Sequence, residues 1–274
     1  MAVSKIPKSL KYFSLLFLIL LAAVPVLVRL WVGDGSSGSF LFGLSTVFCC
    51  ATGAVIAFLL GRRLSPVLPE GLPTVTFSSA VCGFTVFTVV MVTAYYTYFA
   101  PITNRITDVN PAVAMLVKLF ALGCAVYFLL LAAWLPLGQK KALGLFLAMF
   151  PVLFCAFRIL SDFIDHSTMP LAGFGGYRIL GIIATMLFFL QEAKFRTGKG
   201  GAAWYFIVGH VAVILLCAYN VPLLWEFIRG SVSVTDILYA MLSLSFVIYI
   251  FTRLYSMELK TVSGEEPIPS PAEV

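Results

Sequence analysis

Long apolar stretches alternate with short polar connections along this chain of 274 residues. A run of about 20 apolar residues is the length at which an α-helix crosses a hydrocarbon layer about 30 Å thick. The pattern therefore predicts an all-α bundle of eight membrane-spanning helices. These cover residues 12–32, 40–60, 76–99, 111–137, 142–164, 172–190, 203–225 and the stretch that follows Asp236 and runs to 255.

The chain divides into three parts, because a polar segment lies at each end of the apolar stretches. Residues 1–11 are predicted to be a cytoplasmic N-terminal segment, residues 12–257 the membrane domain, and residues 258–274 a short disordered cytoplasmic tail rich in proline and glutamate. Lys5, Lys8 and Lys11 precede the first apolar run, as they would in a signal peptide. That run is long and lacks a small-residue cleavage pattern, so a first membrane helix is the better interpretation.

The positions of the basic residues give this series of helices an orientation. Of the 18 Lys and Arg residues, 12 fall in the N-terminal segment, in every second connection and at the C-terminal end. Basic residues concentrate on the cytoplasmic side of membrane proteins. Both termini are therefore predicted to be cytoplasmic, in a multi-pass protein of the cell (cytoplasmic) membrane. The 12 are Lys5, Lys8, Lys11, Arg62, Arg63, Lys140, Lys141, Lys194, Arg196, Lys199, Arg253 and Lys260.

The composition agrees with this class and excludes others. The chain is 61% hydrophobic and 11% charged, whereas about a quarter of the residues of a soluble domain are charged. The net charge of +6 lies in short clusters beside apolar runs, where it favours anionic lipid headgroups. The lipid bilayer is thus an expected partner, and nucleic acid is not.

Sequence motifs for catalysis or for a cofactor are lacking. No Gly-x-Ser-x-Gly elbow or His-Glu-x-x-His zinc helix occurs, so enzymatic activity is left undecided. The six cysteines lie inside apolar segments without metal-ligand spacing, and they are expected to be packing residues. His166 and His210 are predicted at opposite depths, which does not suit a haem held by two histidines. No metal and no cofactor is predicted.

Three cations depart from the charge pattern because they lie inside apolar segments. Lys118, Arg158 and Arg178 are each six or seven residues from the predicted outer end of a helix. With a rise of 1.5 Å per residue, all three lie about 9–10 Å below the outer boundary. A cation at such a depth costs on the order of 2.5–3.5 kcal/mol, so these side chains should face the bundle interior. Arg29, Arg105 and Arg229 are assigned to the outer interface or loops.

We hypothesise that this layer forms an outward-facing pocket for an anionic solute or lipid headgroup, in a transporter-like or ligand-binding protein. Asp162 lies four residues after Arg158 and can neutralise it on the same helical face. The candidate site comprises Lys118, Arg158, Asp162, Asp165, His166, Tyr177 and Arg178.

Other interpretations stay open. The cations could form only ion pairs between helices or reach the surface along their alkyl stems. Asp162, Asp165 or His166 could serve as acid or base in a membrane enzyme that acts on a lipid-linked substrate, and the chain could also be an accessory or sensor subunit. A weaker hypothesis has Thr85, Thr88 and Tyr95, at helical spacing, line a path for a solute; hydroxyls also commonly bond across helices.

Overall fold

The computed structural model describes residues 8–32, 36–62, 73–99, 110–133, 141–166, 175–197, 199–230 and 233–257. These residues form eight α-helices and no strand. The helices are α1 (Lys8–Val32), α2 (Ser36–Gly61), α3 (Pro73–Tyr98), α4 (Pro111–Ala132), α5 (Lys141–His166), α6 (Gly175–Arg196), α7 (Ala202–Ile228) and α8 (Val234–Ser256).

The helix ends differ from the predicted ones mainly in α4 and α6. The start of α4 is fixed by its cap, because the Asn110 side chain accepts hydrogen bonds from the first-turn amides and Pro111 occupies the first turn. This helix ends at Ala132, five residues before the predicted end. In contrast, α6 continues to Arg196, six residues past the predicted end, and so takes Glu192 into the bundle.

Seven helices of the described part of the chain are long and apolar enough to span a membrane. The exception is α6, which carries Arg178 near its start and Glu192, Lys194 and Arg196 near its end. A multi-pass membrane protein is therefore supported. Whether the chain crosses the bilayer eight times, with both termini in the cytoplasm, depends on α6.

The packing of the helices makes a closed ring of six. Each of α3 to α7 packs against the next helix in the chain, and α8 closes the ring by packing against α3. Neighbours in the ring are antiparallel: Thr252, near the end of α8, hydrogen-bonds Ser78, near the start of α3. The hairpin of α1 and α2 lies outside the ring, where both helices pack on α7.

We name the two ends of the bundle by their contents. The basic end holds Arg62, Lys194 and Lys199, near the ends of α2 and α6 and before the start of α7. The opposite end, where α5 ends and α6 and α8 begin, is called the pocket end.

The middle of the ring is filled with aromatic side chains. Phe128, Phe154, Phe189 and Phe246 come from four different helices and are all buried. Phe246 lies 5.4 Å from Phe189, 6.0 Å from Phe128 and 6.2 Å from Phe154 between ring centroids. Such edge-to-face and tilted contacts add to the hydrophobic contribution of each ring. We refer to these four rings as the aromatic cluster.

Small residues let α2 approach α7 closely. Ala57 is fully buried, and a Cβ on Gly61 would stand 2.5 Å from the Cα of Ala203. A Cβ on Gly53, two turns earlier, would stand 2.9 Å from a methyl carbon of Ile214. Small residues at such spacing are a common means of close helix packing in membranes.

The number of crossings can be measured with reporters. If α6 spans the membrane, the charge pattern predicts that a green fluorescent protein fused after Val274 is fluorescent and an alkaline phosphatase at the same place is inactive. Phosphatase inserted between α7 and α8, at Gly230, should be active. An active phosphatase at the C-terminus would contradict the eight-helix prediction and point to seven crossings.

Candidate functional site

Asp162 stands at the centre of an ionic cluster at the pocket end. Arg178 binds it with two nitrogens: Nε donates to Oδ2 at 3.0 Å, and Nη2 donates to Oδ1. Arg158, one turn before Asp162 on α5, brings its Nη2 within 2.9 Å of the same Oδ1. Two guanidinium groups thus converge on one buried carboxylate, and the bidentate contact of Arg178 is among the stronger kinds of hydrogen bonding to a carboxylate. The predicted pairing of Arg158 with Asp162 is confirmed.

A second carboxylate reaches Arg178 from the first turn of α8. Asp236 Oδ1 lies 3.6 Å from Arg178 Nη1, and the Asp236 side chain is 44% exposed, against 1% for Asp162. The Ser233 hydroxyl donates to Asp236 Oδ2 at 2.7 Å. The cluster formed by Arg158, Asp162, Arg178 and Asp236 contains two positive and two negative side chains, so its formal charge is balanced.

A cavity inside the ring adjoins this cluster. Its volume is about 30 Å³, which is room for about two water molecules. One part of its wall is polar, with Arg158, Arg178, Asn220 and Asp236; another part is apolar, with Phe154, Leu216 and Phe246. The cavity therefore offers charge and apolar surface side by side.

Lys118 belongs to a neighbouring, smaller cavity. Its Nζ donates to Thr97 Oγ1 at 2.9 Å and lies 5.3 Å from the centre of the Tyr98 ring. The walls of this space, about 10 Å³ in volume, are otherwise mainly apolar and include four valines of α3 and α4. Tyr239 lines both cavities, and the Arg158 guanidinium lies 3.6 Å from its ring centre. The structure thus brings Arg158 and Arg178 together and sets Lys118 apart from them.

Of the three remaining predicted site residues, the structure describes the side chain of Tyr177, which is not part of the cavity wall. Tyr177 packs edge-on against Phe42 of α2, with ring centroids 4.9 Å apart, so it points toward the outer hairpin. The side chains of Asp165 and His166, at the end of α5, lie outside the described residues. The hydroxyl path predicted on α3 is wrong, because Thr88 and Tyr95 are exposed on the outside of the ring.

A second ionic cluster, which the sequence prediction missed, lies near the basic end. Glu192 of α6 and Arg253 of α8 are both 1% exposed, and Arg253 Nη2 donates to Glu192 Oε1 at 2.9 Å. The same oxygen accepts from the Tyr249 hydroxyl at 2.6 Å and from Tyr127 at 3.4 Å. Arg253 Nε also donates to the Tyr249 hydroxyl at 2.9 Å.

Arg29, which the sequence assigns to the outer interface or loops, has partners on α7 in the described structure. Arg29 is buried at the end of α1, where its Nη2 donates to Glu226 Oε1 of α7 at 2.9 Å. Its Nη1 donates to the carbonyl oxygen of Tyr219 at 3.3 Å. This pair lies outside the ring and fastens α1 to α7.

The guanidinium groups at the pocket end are of the kind that bind carboxylates and phosphates in proteins. Both oxygens of Asp162 accept from guanidinium groups, so this carboxylate is poorly placed to exchange a proton with a substrate. Among the side chains that the structure describes, no three of His, Cys, Asp and Glu come together as metal ligands. Comparison of the chain with protein-family models, with curated proteins and with solved structures gave no match.

Proposed function

We propose that this protein binds an organic anion in the cavity at the pocket end, with Arg178 and Arg158 as its cationic contacts. The observation that supports this most is the convergence of both guanidinium groups on the single carboxylate of Asp162. A carboxylate, sulfonate or phosphate presents the same kind of oxygen atoms. The anionic group could belong to a free solute or to a lipid headgroup.

Asp236, rather than Asp162, is the carboxylate that such a ligand would replace. Asp162 is buried and held by three guanidinium nitrogens, whereas Asp236 is half-exposed and lies at the longer distance of 3.6 Å. An exposed pair at that distance contributes at most about 1 kcal/mol. A single negative charge from the ligand would restore the charge balance that Asp236 gives up.

The apolar walls favour an anion with an apolar body. Phe154, Leu216 and Phe246 would contact that body while Arg178 holds the charged group. Ligand pockets commonly have volumes of about 300–1,000 Å³, so the cavity must widen when the ligand enters. Separation of Asp236 from Arg178 begins that widening, because these residues link α8 to α6.

Benzenesulfonate tests the proposal, because it is aromatic and permanently anionic. At ten times its dissociation constant it should raise the melting temperature of the purified protein by about 3–5 °C. Benzenesulfonamide, which has the same ring but no charge, is the control and should give no shift. Inorganic phosphate tests a free anion without a ring, and nanodiscs with phosphatidylglycerol in place of phosphatidylcholine test a headgroup.

Substitutions test whether the benzenesulfonate shift in melting temperature arises from binding at the pocket end. Arg158→Gln with Arg178→Gln should abolish the benzenesulfonate shift, whereas Asp236→Asn should lower the dissociation constant because it removes the competing charge. Glu226→Gln, at the ion pair outside the ring, should leave the constant unchanged. An unaltered shift in the double arginine variant, at normal expression, would contradict the proposal.

A further inference from the structure

Two ion pairs of opposite polarity link α6 and α8 across the ring. Near the start of both helices, Arg178 of α6 faces Asp236 of α8; near their ends, Glu192 of α6 faces Arg253 of α8. The helices are parallel and separated along the ring by α7. With a rise of 1.5 Å per residue, the two pairs lie about 20–25 Å apart along the bundle. Each pair therefore lies near a different end of the ring interior.

The two ion pairs differ in burial and therefore in strength. The Arg178–Asp236 pair has side chains 18% and 44% exposed, and solvent weakens such a contact. The Glu192–Arg253 pair is 1% exposed on both sides, and the Tyr249 hydroxyl bridges it by hydrogen bonds to both partners. Removal of one partner from a buried pair is strongly unfavourable. The pocket end should therefore open more readily than the basic end.

The space between the two pairs contains the cavity and then the aromatic cluster. Phe154 and Phe246 belong to both, since they line the cavity and pack within the cluster. Phe189 and Phe128 continue the cluster as far as Tyr249, whose ring lies 4.9 Å from that of Phe128. In the described structure the Arg178–Asp236 pair thus lies on one side of these aromatic rings and the Glu192–Arg253 pair on the other.

We infer that the six-helix ring is a carrier for the organic anion of the proposed function. Its interior is the path, and the Arg178–Asp236 and Glu192–Arg253 pairs are the gates at its two ends. The inference rests on the proposed function, because the anion must first bind at Arg178. At each gate the anion takes the place of a carboxylate on an arginine: it replaces Asp236 on Arg178, and after transfer it replaces Glu192 on Arg253.

The reversed polarity places the two arginines that would hold the anion on different helices. The arginine at the pocket end is on α6, and the arginine at the basic end is on α8. The bound anion can lower the cost of opening a gate only if it binds the open state more tightly than the closed one. The exchange supplies this difference in affinity. In the open state the gate arginine has lost the gate carboxylate and binds the anion instead.

Cys155 reports whether the interior opens to each side. It is fully buried and lines the cavity, and none of the six cysteines forms a disulfide. The test background keeps Cys155 and has alanine at the other five positions. Membrane vesicles of both orientations are treated with sulfonatoethyl methanethiosulfonate, an impermeant anionic thiol reagent, and the modification rate of Cys155 is measured.

Glu192→Gln should raise the rate of modification from the basic end at least tenfold, and Asp236→Asn should do so from the pocket end. Glu226→Gln, at the Arg29–Glu226 pair outside the ring, which has the same 2.9 Å length as the Glu192–Arg253 pair, should change neither rate. If Glu192→Gln does not fold, Glu192→Gln with Arg253→Gln replaces it, because this double variant leaves no unbalanced buried charge. Liposomes that contain the wild-type protein should also release benzenesulfonate at least tenfold faster than protein-free liposomes.

The outcomes separate the inference from the proposed function. If the gate variants bind benzenesulfonate but Cys155 stays unreactive from both ends, or if the wild type binds benzenesulfonate without releasing it from liposomes, the carrier inference is overturned and the binding site stands. If benzenesulfonate, phosphate and phosphatidylglycerol all fail to bind the wild-type protein, the proposed function itself is wrong.

Discussion

Replacement of Arg253 with methionine should lower the free energy of unfolding by about 3–5 kcal/mol. Methionine fills much of the volume of the arginine stem, so packing changes little. Glu192, however, is 1% exposed and loses the guanidinium that lies 2.9 Å from its Oε1. The cost is that of a buried carboxylate without its cation. Unfolding of the purified protein in mixed micelles, followed by circular dichroism, measures it.

The control variant also removes the negative charge of Glu192. Glu192→Gln with Arg253→Met should regain more than half of the lost stability, because the glutamine carbonyl can still accept from Tyr249. The two single variants and the double variant form a cycle that gives the coupling energy between these residues. If Arg253→Met loses less than about 1 kcal/mol, the pair is not a buried ionic contact of the kind described here.

Gly61→Ala should destabilise the protein by about 1–3 kcal/mol, as overpacking does at tight contacts. The new methyl group would stand 2.5 Å from the Cα of Ala203 and 3.2 Å from the carbonyl oxygen of Ala202. Both are backbone atoms, so the start of α7 must move away from α2. The change is measured by the same unfolding assay.

Gly176→Ala is the matched control, because a Cβ there would meet no atom within 4 Å. Alanine favours a helix over glycine by up to about 1 kcal/mol, so this variant should be as stable as the wild type or more stable. Equal effects at Gly61 and Gly176 would show that the α2–α7 contact is looser than the structure has it.

Seven of the described helices could be predicted because each is long and apolar enough to span a membrane. An ionic contact could be predicted only where both partners lie on one helix. Arg158 and Asp162 are four residues apart, so their spacing sufficed. Asp236 lies 58 residues after Arg178, on another helix. The sequence pattern places Asp236 in a connection between helices, so this contact could not be predicted.

Glu192 was missed for a different reason. It lies just beyond the apolar run of α6 and close to Lys194, so the sequence pattern assigns it to the polar connection. It is also the sole acidic residue in that basic stretch, and this was the available signal. Arg253 was likewise counted with the basic residues of the C-terminal end, where the sequence contains no sign of burial.

The position of the α1–α2 hairpin insulates one helix of the ring from the bilayer. With α1 and α2 on one side and α6 and α8 beside it, α7 has no exposed side chain from Tyr205 to Leu224. It can therefore hold His210 and Asn220, whose side chains bond to carbonyl oxygens four residues earlier. Such residues would be costly against lipid. The composition of α7 can therefore include polar residues, as that of a helix in the core of a soluble protein can. The helices around it, by contrast, must present apolar side chains to the lipid.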